Sequence, residues 1–236
     1  MAEHMDKNQG ATPEQAELLH HFSHDLRNRL AAIQQVLSQL SSTPAEEQAE
    51  LIGFAEQQYF KAMRSTEDLL DGFHVERGIG ALTRSAVDLT ELLRASIDLM
   101  QHRFTRKGQT LHIDAGSGLT IKADKHWLNE LITVLLSNAS KFGTPGGVIR
   151  IRLSNEDNAA VLTVQDDGAG LDAEDLERIF VRYAWLKSRS TAGEAQGRGN
   201  LARAKQWAEA HGGVLQARSA GPDKGSTFEL RLPIAR

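Results

Sequence analysis

The first third of the chain has the hydrophobic spacing of long amphipathic helices. Leucine or isoleucine recurs in steps of four, three, four and three at Leu26, Leu30, Ile33, Leu37 and Leu40. This spacing aligns the side chains on one helix face, and we predict a helix from about Thr12 to Leu40. Thr12 followed by Pro13 is typical of a helix start, with the threonine as cap and the proline at the first helical position.

A second helix is predicted from about Ala45 to Val75, after the breaker-rich segment 41–44. Its candidate core residues are Leu51, Phe54, Ala55, Met63, Leu70 and Phe73. Two long helices joined by a short turn form a hairpin, which has one more apolar face than it can cover alone. Pairing with a second copy in a four-helix bundle would cover that face, so we expect a homodimer.

The pattern changes after Glu76–Gly80, a glycine-containing segment that we interpret as a linker. Beyond it, further helices are predicted at Asp88–Arg103, Lys125–Phe142 and Leu201–His211. Short strands are predicted at LHIDAG, GLTIKAD, VIRIRLS, AAVLTVQ, VLQARS and STFELRLP. Helices on one face of such a mixed, mostly antiparallel sheet form an α+β sandwich. We therefore predict a helical hairpin domain at residues 1–80, which includes a polar N-terminal tail and the linker, and an α+β domain at residues 81–236.

The composition narrows the function classes. The chain has 27 Lys and Arg residues against 31 Asp and Glu residues, which give a formal net charge of −4. Nucleic acids and anionic membranes attract basic surfaces, so we expect neither as a partner. The absence of cysteine excludes disulfides, thiolate metal sites and cysteine nucleophiles. No apolar run approaches the length of about 18 residues that spans a bilayer, and we predict a cytoplasmic protein with no membrane segment in this chain.

Residues 21–30 read HFSHDLRNRL and place a histidine on the polar side of the first predicted helix. A helix advances about 100° per residue, so His24 lies nearly opposite the apolar face. Asp25 adjoins it in sequence, and Asn28 follows one turn later on the same outer face. An exposed imidazole beside a carboxylate is suited to nucleophilic chemistry, but an exposed histidine is more often only a solvated side chain.

The run from Phe22 to Leu30 resembles the phospho-acceptor box of dimeric sensor histidine kinases. The resemblance implies that His24 takes the γ-phosphoryl group of ATP on a ring nitrogen, while Asp25 orients the imidazole and accepts its other proton. It also implies that Asn28 positions a water for dephosphorylating a partner aspartate. Arg29 stands where the family usually has a proline that bends the helix, so we expect a straighter helix here.

A second stretch, LITVLLSNASKF at residues 131–142, resembles the asparagine box of the family's ATP-binding domain. The resemblance implies that Asn138 helps to hold Mg²⁺ between the phosphates and that Lys141 contacts phosphate as a point charge. The alternative is a core helix with a polar end. Val134 stands where the family often has another asparagine, so we expect weaker or rearranged coordination of metal or phosphate.

A third stretch, VQDDGAGL at residues 164–171, leaves a predicted strand and resembles the family's adenine-binding motif. A carboxylate at a strand end can accept a hydrogen bond from the adenine amino group. The resemblance assigns this role to Asp166. Glycines allow the backbone to approach the base closely, so Gly168 and Gly170 are expected to line the nucleotide site.

Residues 179–183 are similar to the aromatic segment that precedes the family's mobile lid, and a polar segment follows it. The alternative is an ordinary loop. The lid resemblance implies that Gly197, Arg198 and Gly199 lie near the phosphates, at the start of a helix. The family usually has a further glycine where this chain has Asn200, a residue that tolerates a left-handed backbone. The segments HGG at 211–213 and GSTF at 225–228 match the closing elements of the family, and Thr227 is expected to line the site.

These segments occur in the expected order across residues 15 to 235. The resemblance implies an ATP- and Mg²⁺-dependent protein-histidine kinase that phosphorylates His24 and passes the group to an aspartate of a response-regulator receiver domain. An upstream sensor domain or protein is a further expected partner. The alternative is a degenerate kinase that acts as an adaptor or transfers phosphate without ATP. An ATPase or chaperone with the same nucleotide fold ranks last, because such proteins usually have a glutamate in place of Val134.

Overall fold

The computed structural model describes residues 12–73, 81–116, 118–184, 186–191 and 199–234. The chain divides into two compact units, Met1–Gly78 and Ile79–Arg236. The described helices are α1 (Pro13–Leu40), α2 (Ala45–Gly72), α3 (Leu89–Arg106), α4 (Lys125–Phe142), α5 (Ala173–Arg178) and α6 (Asn200–Ala210). The described strands are β1 (Ser85–Asp88), β2 (Thr110–Ala115), β3 (Thr120–Ala123), β4 (Val148–Glu156), β5 (Ala159–Gln165), β6 (Val214–Arg218) and β7 (Thr227–Pro233). Within these ranges, no helix combines the length and the apolar character needed to cross a bilayer.

Helix α1 begins where its sequence predicts. Thr12 Oγ1 accepts a hydrogen bond from the Gln15 backbone N–H (3.2 Å), and Gln15 Oε1 accepts one from the Thr12 N–H (3.0 Å). This reciprocal pair is a capping box, so the predicted helix start is confirmed. At the other end, the hydroxyls of Ser42 and Thr43 both donate to the Gln39 carbonyl and close the turn to α2.

The hairpin of α1 and α2 buries only part of its apolar surface. Val36 of α1 and Phe60 of α2 are buried. Leu30 and Leu37, which belong to the predicted apolar face of α1, are 53% and 62% exposed. Phe54 was predicted to be a core residue, but it is exposed as well. Two packed helices cover the stripe between them, so the remaining apolar positions of each helix stay on the surface of the single chain.

The C-terminal unit is built on a five-stranded sheet with the strand order β2-β4-β5-β7-β6. Strands β2 and β4 are parallel, and the other neighbours are antiparallel, which confirms the predicted mixed, mostly antiparallel sheet. A separate antiparallel pair is formed by β1 and β3. The strands predicted at 111–116 and 118–124 therefore do not pair with each other, because β2 and β3 belong to different sheets.

Helix α4 is the central helix of the core. Its fully buried apolar residues are Leu128, Leu131, Ile132, Leu135, Leu136 and Ala139. The helix packs against α3, α6 and β5. Its last residue, Phe142, accepts a hydrogen bond through its carbonyl from the N–H of Ala169 (3.0 Å), in the loop after β5. The polar end of α4 is thereby held next to the segment that carries Asp166.

In the predicted closing segment at residues 211–213, His211 forms hydrogen bonds that link the end of α6 to the start of α4. His211 is buried, and its Nε2 accepts a hydrogen bond from the Asp124 N–H (3.0 Å). Its Nδ1 lies 2.6 Å from the Trp207 carbonyl oxygen, to which it donates. One acceptor and one donor nitrogen correspond to a neutral imidazole, so His211 is a structural residue of this unit.

Candidate active site

His24 lies on the exposed face of α1, as the helical spacing predicts. Asn28 follows one turn later, and its Nδ2 lies 3.3 Å from His24 Nδ1. Residues four positions apart on a helix are neighbours on its surface, which explains the contact. The structure therefore brings together two of the residues that the sequence analysis singled out, an imidazole and an amide, on a surface open to solvent.

Asp25, the third predicted residue of this group, is bound by two other side chains. Its Oδ2 accepts hydrogen bonds from Arg29 Nε (2.7 Å) and from Ser65 Oγ of α2 (2.9 Å). The hydrogen bond from Arg29, supported by the one from Ser65, lowers the pKa of the Asp25 carboxyl below its usual value. Ser65 lies 40 positions away in the sequence, so no local pattern could have linked it to Asp25.

The second candidate site is a cavity of about 250 Å³ in the C-terminal unit. Helix α4 lines it with Glu130, Val134, Asn138 and Lys141, which succeed one another by about one turn on one helix face. Further lining residues come from the loop after β5, the segment after α5, the start of α6 and the region of strand β7. Four of the predicted nucleotide-binding residues line this cavity: Asn138, Lys141, Asp166 and Gly170.

Asp166 supplies the buried carboxylate of the cavity. It directly follows β5 and is only 3% exposed. Burial, reinforced by the nearby charge of Asp167, raises its pKa to about 6. One carboxylate oxygen, Oδ1, accepts a hydrogen bond from the Gly168 N–H (2.9 Å). The carboxylate is therefore fixed in orientation and poised to accept a donor from a molecule in the cavity.

The two predicted glycines are explained by contacts within the protein. A Cβ atom at Gly168 would lie 1.8 Å from the Phe142 carbonyl oxygen, so the loop after β5 passes α4 too closely for any side chain. Gly170 has a φ of +63°, and a Cβ there would lie 2.1 Å from the Gly221 carbonyl oxygen. Gly170 lines the cavity, whereas Gly168 shapes the loop that orients Asp166.

The end of α4 places in the cavity side chains of the types that bind phosphate and metal ions. Asn138 contributes an amide and Lys141 an ammonium group, while Val134 presents an apolar side chain one turn earlier. No cluster of three or more His, Asp or Glu side chains that could hold a metal is found in the part of the chain that the structure describes. A single amide oxygen fits Mg²⁺ that takes its other ligands from phosphates and water, as is usual for nucleotide-bound Mg²⁺.

Residues 186–191 run along the rim of the cavity and are anchored at both ends. The buried carboxylate of Asp175 accepts hydrogen bonds from the backbone N–H groups of Lys187 and Ser188, each at 2.9 Å. At the other end, Thr191 Oγ1 donates to the Gly143 carbonyl (2.6 Å). Asp175 was not predicted from the sequence, because its role depends on backbone groups 12 and 13 positions later.

Replacing Asp175 with alanine is expected to release this rim segment. Two backbone N–H groups lose their acceptor, and each such loss costs about 1 to 3 kcal/mol if the group stays buried. We therefore expect a lower melting temperature and faster tryptic cleavage after Lys187 and Arg189. Glu174→Ala is the matched control, because the ion pairs of Glu174, with Lys187 Nζ (2.8 Å) and Arg178 Nη1 (3.0 Å), lie on the surface. Equal cleavage rates in the two variants would contradict the anchoring role of Asp175.

Thr227 and Asn200 are placed differently from what the motifs suggested, whereas Gly199 stands at the start of a helix as predicted. Thr227 does not line the cavity, because successive strand residues point to opposite faces and its neighbours Ser226 and Phe228 face inward. Gly199 is the N-cap of α6 with a φ of −116°, and Asn200 is the first residue of that helix rather than a left-handed turn residue. Asn200 lines the cavity. Gly197 and Arg198 lie outside the described residues.

Comparison with known proteins places these features in a family. Residues 123–236 match the family of histidine kinase-, DNA gyrase B-, and HSP90-like ATPases. The sensor protein ChvG of Agrobacterium fabrum is 29% identical over 228 residues, an alignment that covers 90% of this chain and 38% of ChvG. The chain therefore spans about two fifths of the length of that relative.

Solved structures give the same result. The mycobacterial sensor histidine kinase MprB is 26% identical with a TM-score of 0.57, over 63% of this chain and 97% of that one. Full-length ShkA in complex with AMPPNP is 25% identical with a TM-score of 0.58, over 95% of this chain and 46% of that one. Together with the fold, these matches show that the chain carries a histidine kinase catalytic core, whose residues 123–236 belong to the histidine kinase-, DNA gyrase B-, and HSP90-like ATPase family.

Proposed function

We propose that the chain is an ATP-dependent protein-histidine kinase that phosphorylates itself on His24 and passes the phosphoryl group to an aspartate of a receiver domain. The observation that carries the proposal is an exposed imidazole in contact with Asn28, in a chain that also holds a cavity with a buried carboxylate at Asp166. The histidine kinase relatives support the same reading. A reaction that consumes ATP and serves a receiver implies a cytoplasmic location for this part of the chain.

Each of the cavity residues binds a different part of the nucleotide in this proposal. The ionised carboxylate of Asp166 accepts a hydrogen bond from the adenine amino group, and the ammonium of Lys141 pairs with phosphate. Asn138 would hold Mg²⁺, which would neutralise charge on the phosphates when bound. Gly197 and Arg198, outside the described residues, keep their predicted roles beside the phosphates. That ShkA binds the ATP analogue AMPPNP supports ATP as the nucleotide here.

The chemistry at His24 is a displacement at phosphorus. The lone pair of one ring nitrogen forms the N–P bond while the P–O bond to the β-phosphate breaks and ADP leaves with the electron pair. The proton on the other ring nitrogen then needs an acceptor, and the Asp25 carboxylate is the neighbouring base. Asn28 lies against the ring and, in the reverse direction of signalling, positions a water that hydrolyses the phosphoaspartate of the receiver.

Two copies of the N-terminal unit are proposed to form the homodimer. Leu30 and Leu37 are one heptad apart on the apolar face of α1, and both are exposed in the single chain. Phe54 and Tyr59 are exposed on α2. A four-helix bundle of two hairpins would remove these side chains from water. We keep residues 1–80 as the hairpin domain and 81–236 as the ATP-binding domain, and the division into compact units at Gly78 supports a boundary in this region.

The direct test is the incorporation of ³²P from ATP labelled on its γ-phosphate. The purified chain with Mg²⁺ should take up label that is lost in acid and stable in alkali, which is the behaviour of phosphohistidine. Added receiver domains should then remove the label from the chain. No uptake, or label that survives acid as phosphoserine does, would contradict the proposed kinase activity.

The adaptor function remains the second candidate because Val134, rather than an amide, lines the cavity beside Asn138. An adaptor would bind its partners without using ATP. Titration of a fluorescent ATP analogue separates the two functions. Tight Mg²⁺-dependent binding supports the kinase, and no binding supports the adaptor.

Replacing Val134 with asparagine is expected to strengthen Mg²⁺-dependent ATP binding by about threefold or more, because it adds an oxygen ligand one turn from Asn138. The same titration in EDTA should show little change. Val134→Leu is the control, since it keeps the wall apolar and should give no Mg²⁺-dependent gain. An equal gain with Mg²⁺ and with EDTA would show that residue 134 acts on cavity shape and not on the metal.

A further inference from the structure

The carboxylate of Asp25 is held by side chains from both helices of the hairpin. Arg29 Nε and Ser65 Oγ bind the same oxygen, Oδ2, at 2.7 and 2.9 Å. The Arg29 side chain is 22% exposed and that of Asp25 40%, so this ion pair is partly shielded from water. Ser65 Oγ also lies 3.1 Å from the Lys61 carbonyl oxygen, so Asp25 and that carbonyl compete for its single proton. The hydrogen bond from Arg29 is therefore the stronger of the two that Asp25 accepts.

These contacts direct the carboxylate away from the imidazole. In the part of the chain that the structure describes, His24 and Asp25 share no hydrogen bond, and His24 Nδ1 faces Asn28 instead. Consecutive helix residues diverge by about 100°, so Asp25 must turn back toward His24 to receive its proton. Arg29, four residues later, and Ser65, on α2, both stabilise the opposite orientation.

We propose that Arg29 and Ser65 are positioning residues that hold the Asp25 carboxylate on the α2 side of α1 and thereby restrain the phosphorylation of His24. The inference rests on the proposed kinase function. The restraint has two components. The carboxylate is turned away from the ring proton it should accept, and its charge is neutralised by a guanidinium, which makes it a weaker base. The lowered pKa of Asp25 agrees with this picture.

The position of Arg29 is what makes this restraint particular to the present chain. A proline, which the family usually has at this place, carries no charge and no hydrogen-bond donor for Asp25. Leucine is the better test substitution, because Arg29→Pro would also remove a backbone hydrogen bond and bend α1. Leucine and arginine have similar helix propensities, so Arg29→Leu removes the ion pair and leaves the helix intact.

The experiment measures the initial rate of acid-labile labelling of the full chain at varied MgATP concentration. Arg29→Leu should raise the maximal rate about threefold to tenfold with an unchanged KM for ATP, since it frees the base without touching the nucleotide cavity. Ser65→Ala should give a smaller increase. Arg29→Lys, which keeps a cation four residues from Asp25, should stay near the wild-type rate. Lys61→Leu, which removes an exposed charge from α2, is the control and should change nothing.

A double-variant test assigns the effect to Asp25. In an Asp25→Asn background, Arg29→Leu should have no effect, because no carboxylate remains to be released. An unchanged or slower rate for Arg29→Leu alone, or an acceleration that persists with Asp25→Asn, would overturn the proposal. Failure of the kinase function itself is distinguishable, because wild-type chain would then take up no label, and there would be no reaction for Arg29 to restrain.

Discussion

Replacing His24 with alanine is expected to abolish phosphorylation of this chain by ATP. Alanine has no ring nitrogen to form the N–P bond, so we expect labelling to fall by at least about 100-fold, to background. Nucleotide binding should not change, because His24 lies on α1 of the N-terminal unit and Asp166 in the C-terminal unit. The measurements are acid-labile ³²P uptake and titration of a fluorescent ATP analogue on the same preparation.

The neighbouring histidines provide matched controls for this variant. His20 and His21 are exposed on the same helix, and His21 lies 3.8 Å from Glu17 in a surface pair. His20→Ala and His21→Ala should therefore keep wild-type labelling. Undiminished acid-labile label on the His24→Ala variant would remove His24 from its role, whatever the two controls show.

The fold features that were predictable from sequence are those encoded by local patterns. The start of α1 depends on Thr12 and its neighbours, and the core face of α4 depends on apolar residues one turn apart. Strand pairing is not local. The parallel partner of β2 is β4, more than 30 residues away, and no turn motif connects the two. The four-residue strand β1 and the six-residue helix α5 are too short to show a clear period.

In the candidate site, too, the residues that were predictable are those that belong to local sequence patterns. Asn138 and Asp166 were identified because each belongs to a short motif with its own spacing. Ser65 and Asp175 were missed because their partners lie in other segments of the chain. Thr227 shows a related limit. A motif places a segment at the cavity, but the phase of the strand decides that Ser226 and Phe228 face it.

The raised pKa of Asp166 implies that this residue lowers stability while it serves binding. Its pKa is about 6 in the folded chain against an ordinary value of 3.8. The difference corresponds to about 3 kcal/mol of unfavourable free energy for keeping the ionised carboxylate buried. That cost is fully present above pH 6 and is relieved as the pH falls from about 6 toward 4, because the folded chain then takes up a proton more readily than the unfolded chain.

Replacing Asp166 with asparagine is therefore expected to weaken ATP binding by at least about tenfold without lowering the melting temperature at neutral pH. Asparagine keeps the oxygen that accepts from the Gly168 N–H, but its amide NH₂ meets the adenine amino group donor to donor. GTP has an acceptor oxygen at that position of the base, so its affinity should fall less than that of ATP. Isothermal titration with both nucleotides, together with thermal unfolding, measures these effects.

The pH dependence and a neighbouring variant test the same carboxylate. In the wild type, ATP affinity should fall as the pH drops from about 7.5 to about 5, because protonation removes the acceptor, and in Asp166→Asn this loss should be absent. Asp167→Asn is the matched control. Asp167 accepts hydrogen bonds from the N–H groups of Thr144 and Val148 and does not line the cavity, so the preference for ATP over GTP should persist. If the preference for ATP over GTP were lost in Asp167→Asn and kept in Asp166→Asn, Asp167 and not Asp166 would recognise adenine. That result would refute the proposed nucleotide geometry.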